Sequence, residues 1–171
     1  MTLSNSTITV RLPDDSTREL PIGSTGLDLA MSIGKRLGQA AVATVVNGVE
    51  TDLGVSLVDG AKVSIITADS DAGRHVLRHS TAHVLAQAVV QLFKGAKFSI
   101  GPAIEDGFYY DFELPNSKTF SDDDLAMIQQ RMQEIVSADQ PFVRAEMSAH
   151  DALKLFSDQP YKCEIIERVT Q

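Results

Sequence analysis

The sequence has a single cysteine, Cys163, so no disulfide framework braces the chain, and that is consistent with a reducing compartment. No apolar run approaches the length of a membrane span. The first ten residues, MTLSNSTITV, lack a basic start and a long apolar stretch, so nothing marks secretion and a cytoplasmic location is expected. Positive charge is scarce: 15 Lys+Arg stand against 23 Asp+Glu, a net charge of −8. That excludes a coat on nucleic acid driven by overall charge and leaves room only for a local basic spot. Internal repeats and low-complexity tracts are missing as well. What is present is 171 residues, 43% hydrophobic and 22% charged, enough for one mid-sized domain or two small ones with packed cores.

Two differently built segments follow each other. In the first, ITVRL (8–12) alternates as a strand, Asp14-Asp15-Ser16 reads as a turn, and 17–21 as a second strand ending at Pro21. Ser24 or Thr25 is placed to cap a helix carrying Leu27, Leu29, Ala30, Ile33 and Leu37, with Gly38 as its stop. AVATVVNG (41–48) is a β-branched strand with a hairpin signal at Asn47-Gly48, and Asp59-Gly60 turns into a strand at 61–67. Strand, strand, helix, strands is the order of a sheet gripping one helix. The small polar stretch ADSDAG (68–73) marks the boundary, giving segments 1–68 and 74–171 around a linker at 69–73.

The second segment opens with a helix over about 74–94. KFSI (97–100), Gly101-Pro102 and a hairpin near Asp106-Gly107 lead into FYYDFEL (108–114), which puts Phe108, Tyr110, Phe112 and Leu114 on one face. Ser121 opens a helix whose Asp122, Asp123 and Asp124 suit its positive end, with Leu125, Ile128, Met132, Ile135 and Val136 as the apolar stripe. Ser148 and Asp151 form a capping box for a shorter helix ended by Pro160, and 161–169 reads as a closing strand.

The informative cluster is RHSTAHVLAQAVVQLF (78–93). His79 and His83, four residues apart, point to the same side of a helix. A helical wheel gathers Leu77, Thr81, Val84, Leu85, Ala88 and Leu92 opposite them as the core stripe. Val76, Ala86 and Val90 share the histidine side, which is too apolar for a plain solvent face and suggests a pocket wall. Histidine titrates near neutrality and suits general acid–base work. Spacing alone does not separate that role from two hydrogen-bonded structural histidines. Two imidazoles do not close a metal site, so no metal ligands are assigned. His75, four residues before His79, reads as a frayed first-turn residue that could share its side, and His150 as a surface residue. Cys163, the aspartates at 122–124 and Lys162 each have a plain structural reading.

The strings VNG (46–48), VSIITA (63–68), RHSTAHVLAQAV (78–89), IGPAIEDGFYYDFEL (100–114) and SDQPYK (157–162) resemble the N-terminal region of bacterial threonyl-tRNA synthetases. The resemblance implies an α+β chain. A ubiquitin-like β-grasp (TGS) domain comes first, then an editing domain with its long HxxxH helix packed on an antiparallel sheet. The complete enzymes are implied to join threonine to tRNA with ATP and magnesium, to hold zinc in the catalytic domain, and to be homodimers. None of those cofactors is expected in the present stretch. The chain alone is expected to be a monomer that binds tRNA weakly or not at all.

The arm's implied task is removal of serine wrongly attached to threonine tRNA. Serine lacks one methyl group of threonine, and a single methylene-sized contact discriminates by only about 1–3 kcal/mol, so a second, hydrolytic site is needed. By resemblance, His79 and His83 are the HxxxH pair of that site, Tyr110 is its pocket tyrosine and Lys162 its lysine. Gly101 lies beside the 3′ aminoacyl end. His79 and Lys162 are expected to carry chemistry, with His83 and Tyr110 placing substrate and water.

The family completes this pocket with an acidic residue and a CxxxH string further on. Cys163 is followed by Glu164, Ile165, Ile166 and Glu167, so it is not that cysteine. The chain alone is therefore expected to hydrolyse Ser-tRNA slowly. Alternatives from other classes are an RNA- or protein-binding regulatory module, an alanyl-type trans-editing hydrolase, and a metal-dependent hydrolase using the two histidines.

Overall fold

The computed structural model describes residues 7–141, 143 and 145–170. Positions 1–6 of the stretch inspected for a leader lie outside the described residues. The chain divides into two compact units, Met1–Leu77 and Arg78–Gln171.

In the first unit, β1 (Thr7–Arg11) pairs antiparallel with β2 (Thr17–Pro21) across a turn where Asp15 takes positive φ. Of the two cap candidates, Ser24 and Thr25, it is Thr25 that caps α1 (Gly26–Ile33), in a reciprocal box with Asp28. The helix does not continue to Gly38. It stops at Gly34, whose N–H closes on the Ala30 carbonyl, and α2 (Lys35–Ala40) follows with Gly38 buried inside it. Gly38 is small because the Met31 side chain lies where its Cβ would be. β3 (Ala41–Val46) pairs antiparallel with β4 (Val49–Thr51) and β5 (Val63–Thr67), and a parallel bridge, Arg11 to Lys62, joins the two sheets. Ile8, Val10, Leu20, Leu29, Leu57 and Val63 form the core between strands and α1. This is a β-grasp arrangement within a mixed α+β chain.

The division between units falls within α3 (Asp71–Leu92). The helix starts three residues before the expected Arg74, so most of the stretch read as a linker is its first turn.

In the second unit, β6 (Lys97–Phe98) pairs with β9 (Phe112–Glu113), and β7 (Ala103–Ile104) with β8 (Gly107–Phe108). These are two short antiparallel ribbons rather than one broad sheet. α4 (Asp122–Ser137) is capped by Ser121 and Asp124. Its Ile128 and Ile135 pack with Ala88, Val89, Ala96 and Leu114, while Leu125 and Val136, expected in the stripe, face solvent.

α5 (Ala149–Leu155) is capped by Ser148 and ends before Pro160. The expected closing strand is a helix, α6 (Pro160–Val169). Proline here begins an element instead of ending one: at the first helical position its missing N–H is not needed and its fixed φ suits the helix. Cys163 is half-buried on α6 and its thiol donates to the Phe156 carbonyl at 3.1 Å.

Candidate functional site

α3 brings His79 and His83 together one turn apart, and their Nε2 atoms lie 3.0 Å from each other. The rings meet edge-on, with centroids 4.6 Å apart. A bond between two Nε2 atoms requires one to carry hydrogen and the other a lone pair, so at least one ring is neutral when it forms. Both histidines belong to the exposed side of the helix.

The wheel reading of α3 needs correction. Leu77 is 43% exposed and Leu92 38%, and Thr81 is exposed too, so the expected core stripe is only partly a stripe. The buried apolar side chains of α3 are Ala82, Ala86, Ala88 and Val89. Two of them, Ala82 and Ala86, lie beside the histidines on the helix surface. The histidine pair therefore sits at the margin of the core, beside buried alanines and open to water.

The aromatic segment after the hairpin supplies the next wall. Phe108, Tyr110, Phe112 and Leu114 are half-buried or buried while Tyr109, Asp111 and Glu113 are exposed, so the alternation holds although only parts of 108–114 are strand. Tyr110 stacks on Phe112 with centroids 5.0 Å apart and presents its edge to His83 at 6.5 Å. Phe112 meets Phe120, and Phe120 meets Phe93, so a chain of ring contacts runs from the core to the site. Burial raises the Tyr110 phenol above its ordinary value and keeps it a neutral donor.

Gly101 is buried directly against that ring. A Cβ there would stand 2.1 Å from Tyr110 Cδ2 and 2.3 Å from Cε2. The glycine thus has a packing reason: it lets the tyrosine lie flat over the backbone.

Lys162, on the first turn of α6, is half-buried and holds its ammonium 5.0 Å from the centroid of the Phe98 ring. Desolvation lowers its pKa from the ordinary lysine value. Phe98 also touches Tyr110, at 6.1 Å, which links the lysine to the histidine wall. His83 is lowered too, first by partial burial, then by the positive fields of His79 and Lys162. Its neutral form is favoured in the folded chain.

The five residues singled out from sequence, His79, His83, Gly101, Tyr110 and Lys162, thus fall into one cluster. Two members were missed. Phe98 lies beneath the lysine, and Gln159 bonds the backbone on both sides of the β6 position Lys97. The residues preceding Lys162 in SDQPYK were the available signal, but nothing in their types announces such contacts. Among the described residues, no group of three or more His, Cys, Asp or Glu side chains is placed to hold a metal ion. No helix among them is long and apolar enough to cross a membrane.

Residues 8–67 match the TGS domain family. Over 161 residues, 93% of the chain, the sequence is 49% identical to a protein of Maricaulis maris named threonine--tRNA ligase. Proteins of the same name from Pelodictyon phaeoclathratiforme and Citrifermentans bemidjiense are 45% and 47% identical over 94% of the chain. The chain spans about a quarter of the length of these relatives, 25%, 24% and 25% respectively.

Proposed function

We propose that this chain, which carries a TGS domain and is related over almost all its length to threonine--tRNA ligases, is the N-terminal, proofreading arm of such an enzyme. The parent reaction is the ATP-dependent joining of threonine to its tRNA in the cytoplasm. This arm contributes one face of a site that hydrolyses serine from mischarged tRNA. The observation that carries the reading is the hydrogen-bonded His79–His83 pair, walled by Tyr110 and lying in the field of Lys162.

Ester hydrolysis needs a base to take a proton from water, an acid to give one to the departing ribose oxygen, and positive charge near the developing oxyanion. A neutral imidazole pair joined through Nε2 meets the first two needs together. Whichever ring donates, its Nδ1 keeps a lone pair, while the accepting ring carries a hydrogen on Nδ1. The pair then offers one acceptor and one donor. As the free Nδ1 takes a proton from water and the Nδ1–H gives one to the ribose oxygen, the shared proton crosses between the Nε2 atoms. Both rings are left neutral with their roles exchanged. Lys162 supplies positive charge. Tyr110 supplies a flat wall and a neutral hydroxyl for the aminoacyl end.

The solvent exposure of both histidines sets a limit. Electrostatic stabilisation is strongest where water is excluded, and the described residues leave these rings wet. The chain by itself is therefore expected to deacylate Ser-tRNA slowly in a single-turnover assay. Its share of the site is tested by binding. A stable amide analogue of 3′-seryl-adenosine, titrated into the chain, is expected to shift the ring resonances of His79, His83 and Tyr110. Binding that leaves all three unmoved, or no binding at millimolar analogue, contradicts the assignment.

A further inference from the structure

Lys162 makes no ion pair among the described residues. Its stem is long and flexible, so its ammonium is placed by where the α6 backbone begins and by the Phe98 ring beneath it.

Both of those features converge on Gln159. This residue is only 8% exposed and occupies the position before α6, yet its side chain does not cap the helix. It reaches across more than sixty residues of sequence instead. Its Nε2 donates to the Ala96 carbonyl at 3.2 Å, and its Oε1 accepts from the Phe98 N–H at 3.2 Å. The Ser99 N–H points the other way, to the Asp111 carbonyl at 3.2 Å. Successive residues of this stretch thus face opposite edges, and Ala96 and Phe98 share one. Gln159 fills the edge away from β9, as a neighbouring strand would.

The backbone of the same residue starts α6. Its carbonyl accepts from the Lys162 N–H at 2.9 Å and from the Cys163 N–H at 3.2 Å. One residue therefore holds Phe98 with its side chain and Lys162 with its backbone. Those are the two halves of the contact between ammonium and ring.

We propose that Gln159 is a positioning residue of the site: its buried amide locks the first turn of α6 onto β6 and so keeps the Lys162 ammonium over the Phe98 ring. Burial makes the lock selective. An apolar side chain of the same length fills the space but strands the Phe98 N–H and the Ala96 carbonyl without partners. What Lys162 does once held there rests on the hydrolytic reading above. The holding itself is testable without substrate.

The test uses the whole chain with labelled histidine and the variants Gln159→Met, Lys162→Met and their combination. Lys162→Met is expected to raise the titration midpoint of His83, because it removes a neighbouring positive charge. Gln159→Met is expected to raise it in the same direction, and the double variant to match Lys162→Met alone. Hydrogen exchange at the Phe98 amide is expected to quicken by about tenfold in Gln159→Met, with helix content unchanged.

A Gln159→Met chain that keeps the original His83 midpoint and a protected Phe98 amide overturns the proposal, as does a shift that simply adds to that of Lys162→Met. Should Gln159→Met fail to fold, Gln159→Glu serves. It keeps an acceptor for Phe98 but loses the donor to Ala96. Its own negative charge also raises the His83 midpoint, so the lock is read from the double variant with Lys162→Met, where a less than additive shift supports it and an additive one refutes it. Failure of the seryl analogue to bind, with these results intact, strikes the hydrolytic reading and not the role of Gln159.

Discussion

His79→Ala and His83→Ala, introduced singly into a threonine--tRNA ligase in which this chain supplies the corresponding quarter, are each expected to slow removal of serine from mischarged tRNA by about 10²–10⁴-fold. The double variant is expected to be little worse than either single one. That non-additivity follows from the geometry. The rings share one hydrogen bond between their Nε2 atoms, 3.0 Å apart, so removing either leaves the other without its proton partner. Threonine charging should be unaffected, because the cluster gives no support to a role in ligation. Single-turnover deacylation of Ser-tRNA reads the first effect and aminoacylation the control. Additive losses, or full deacylation in either single variant, contradict a paired mechanism.

The second large effect is steric. Gly101→Ala places a methyl carbon at 2.1 Å from Tyr110 Cδ2, well inside contact distance, and the ring has Phe112 stacked on it and Phe98 at its edge. The tyrosine must swing out, or the backbone at 101 must shift. Overpacking of this kind costs about 1–3 kcal/mol. Urea unfolding is expected to show that loss, together with altered Tyr110 ring resonances and weaker binding of the seryl analogue. Gly34→Ala is a suitable control, since no atom lies within 4 Å of its Cβ and its φ of 176° is ordinary extended backbone. An undisturbed Tyr110 in Gly101→Ala contradicts the packing account.

Local chemistry made much of this structure legible. The cap at Thr25, one of two candidates, the helix start at Ser121, the Asn47-Gly48 hairpin and the alternation through 108–114 all act within a few residues, and the sequence places them there. The histidine pair was legible for the same reason, being fixed by one helical turn.

Features decided by tertiary packing were not. Ile165-Ile166 after Pro160 reads as strand by residue type, yet the segment is helical: proline fits its first position, and Cys163, Ile165 and Ile166 are half-buried while Glu164, Glu167 and Arg168 face solvent. The wheel on α3 read the side opposite the histidines as the core stripe and the histidine side as a pocket wall. It put Leu77 and Leu92 inwards and overlooked Ala82, because small residues give little hydrophobic signal where neighbours crowd closest. Gln159 left no pattern at all, since its two partners lie more than sixty residues away.

The account depends on the two imidazoles sharing a proton in a setting that favours the neutral form of His83. Partial burial and two positive neighbours lower the pKa of His83. The shared bond should therefore persist below the ordinary histidine value of about 6.5 and break as pH falls through the lower value of His83 itself. The most direct measurement is a nitrogen-15 titration of both side chains in the intact chain, from pH 8 downward. The account predicts complementary tautomers above neutrality, one ring protonated on Nε2 and the other on Nδ1, with His83 taking up its proton clearly below pH 6.5. Two rings titrating independently near 6.5, each in the same tautomer, would contradict it.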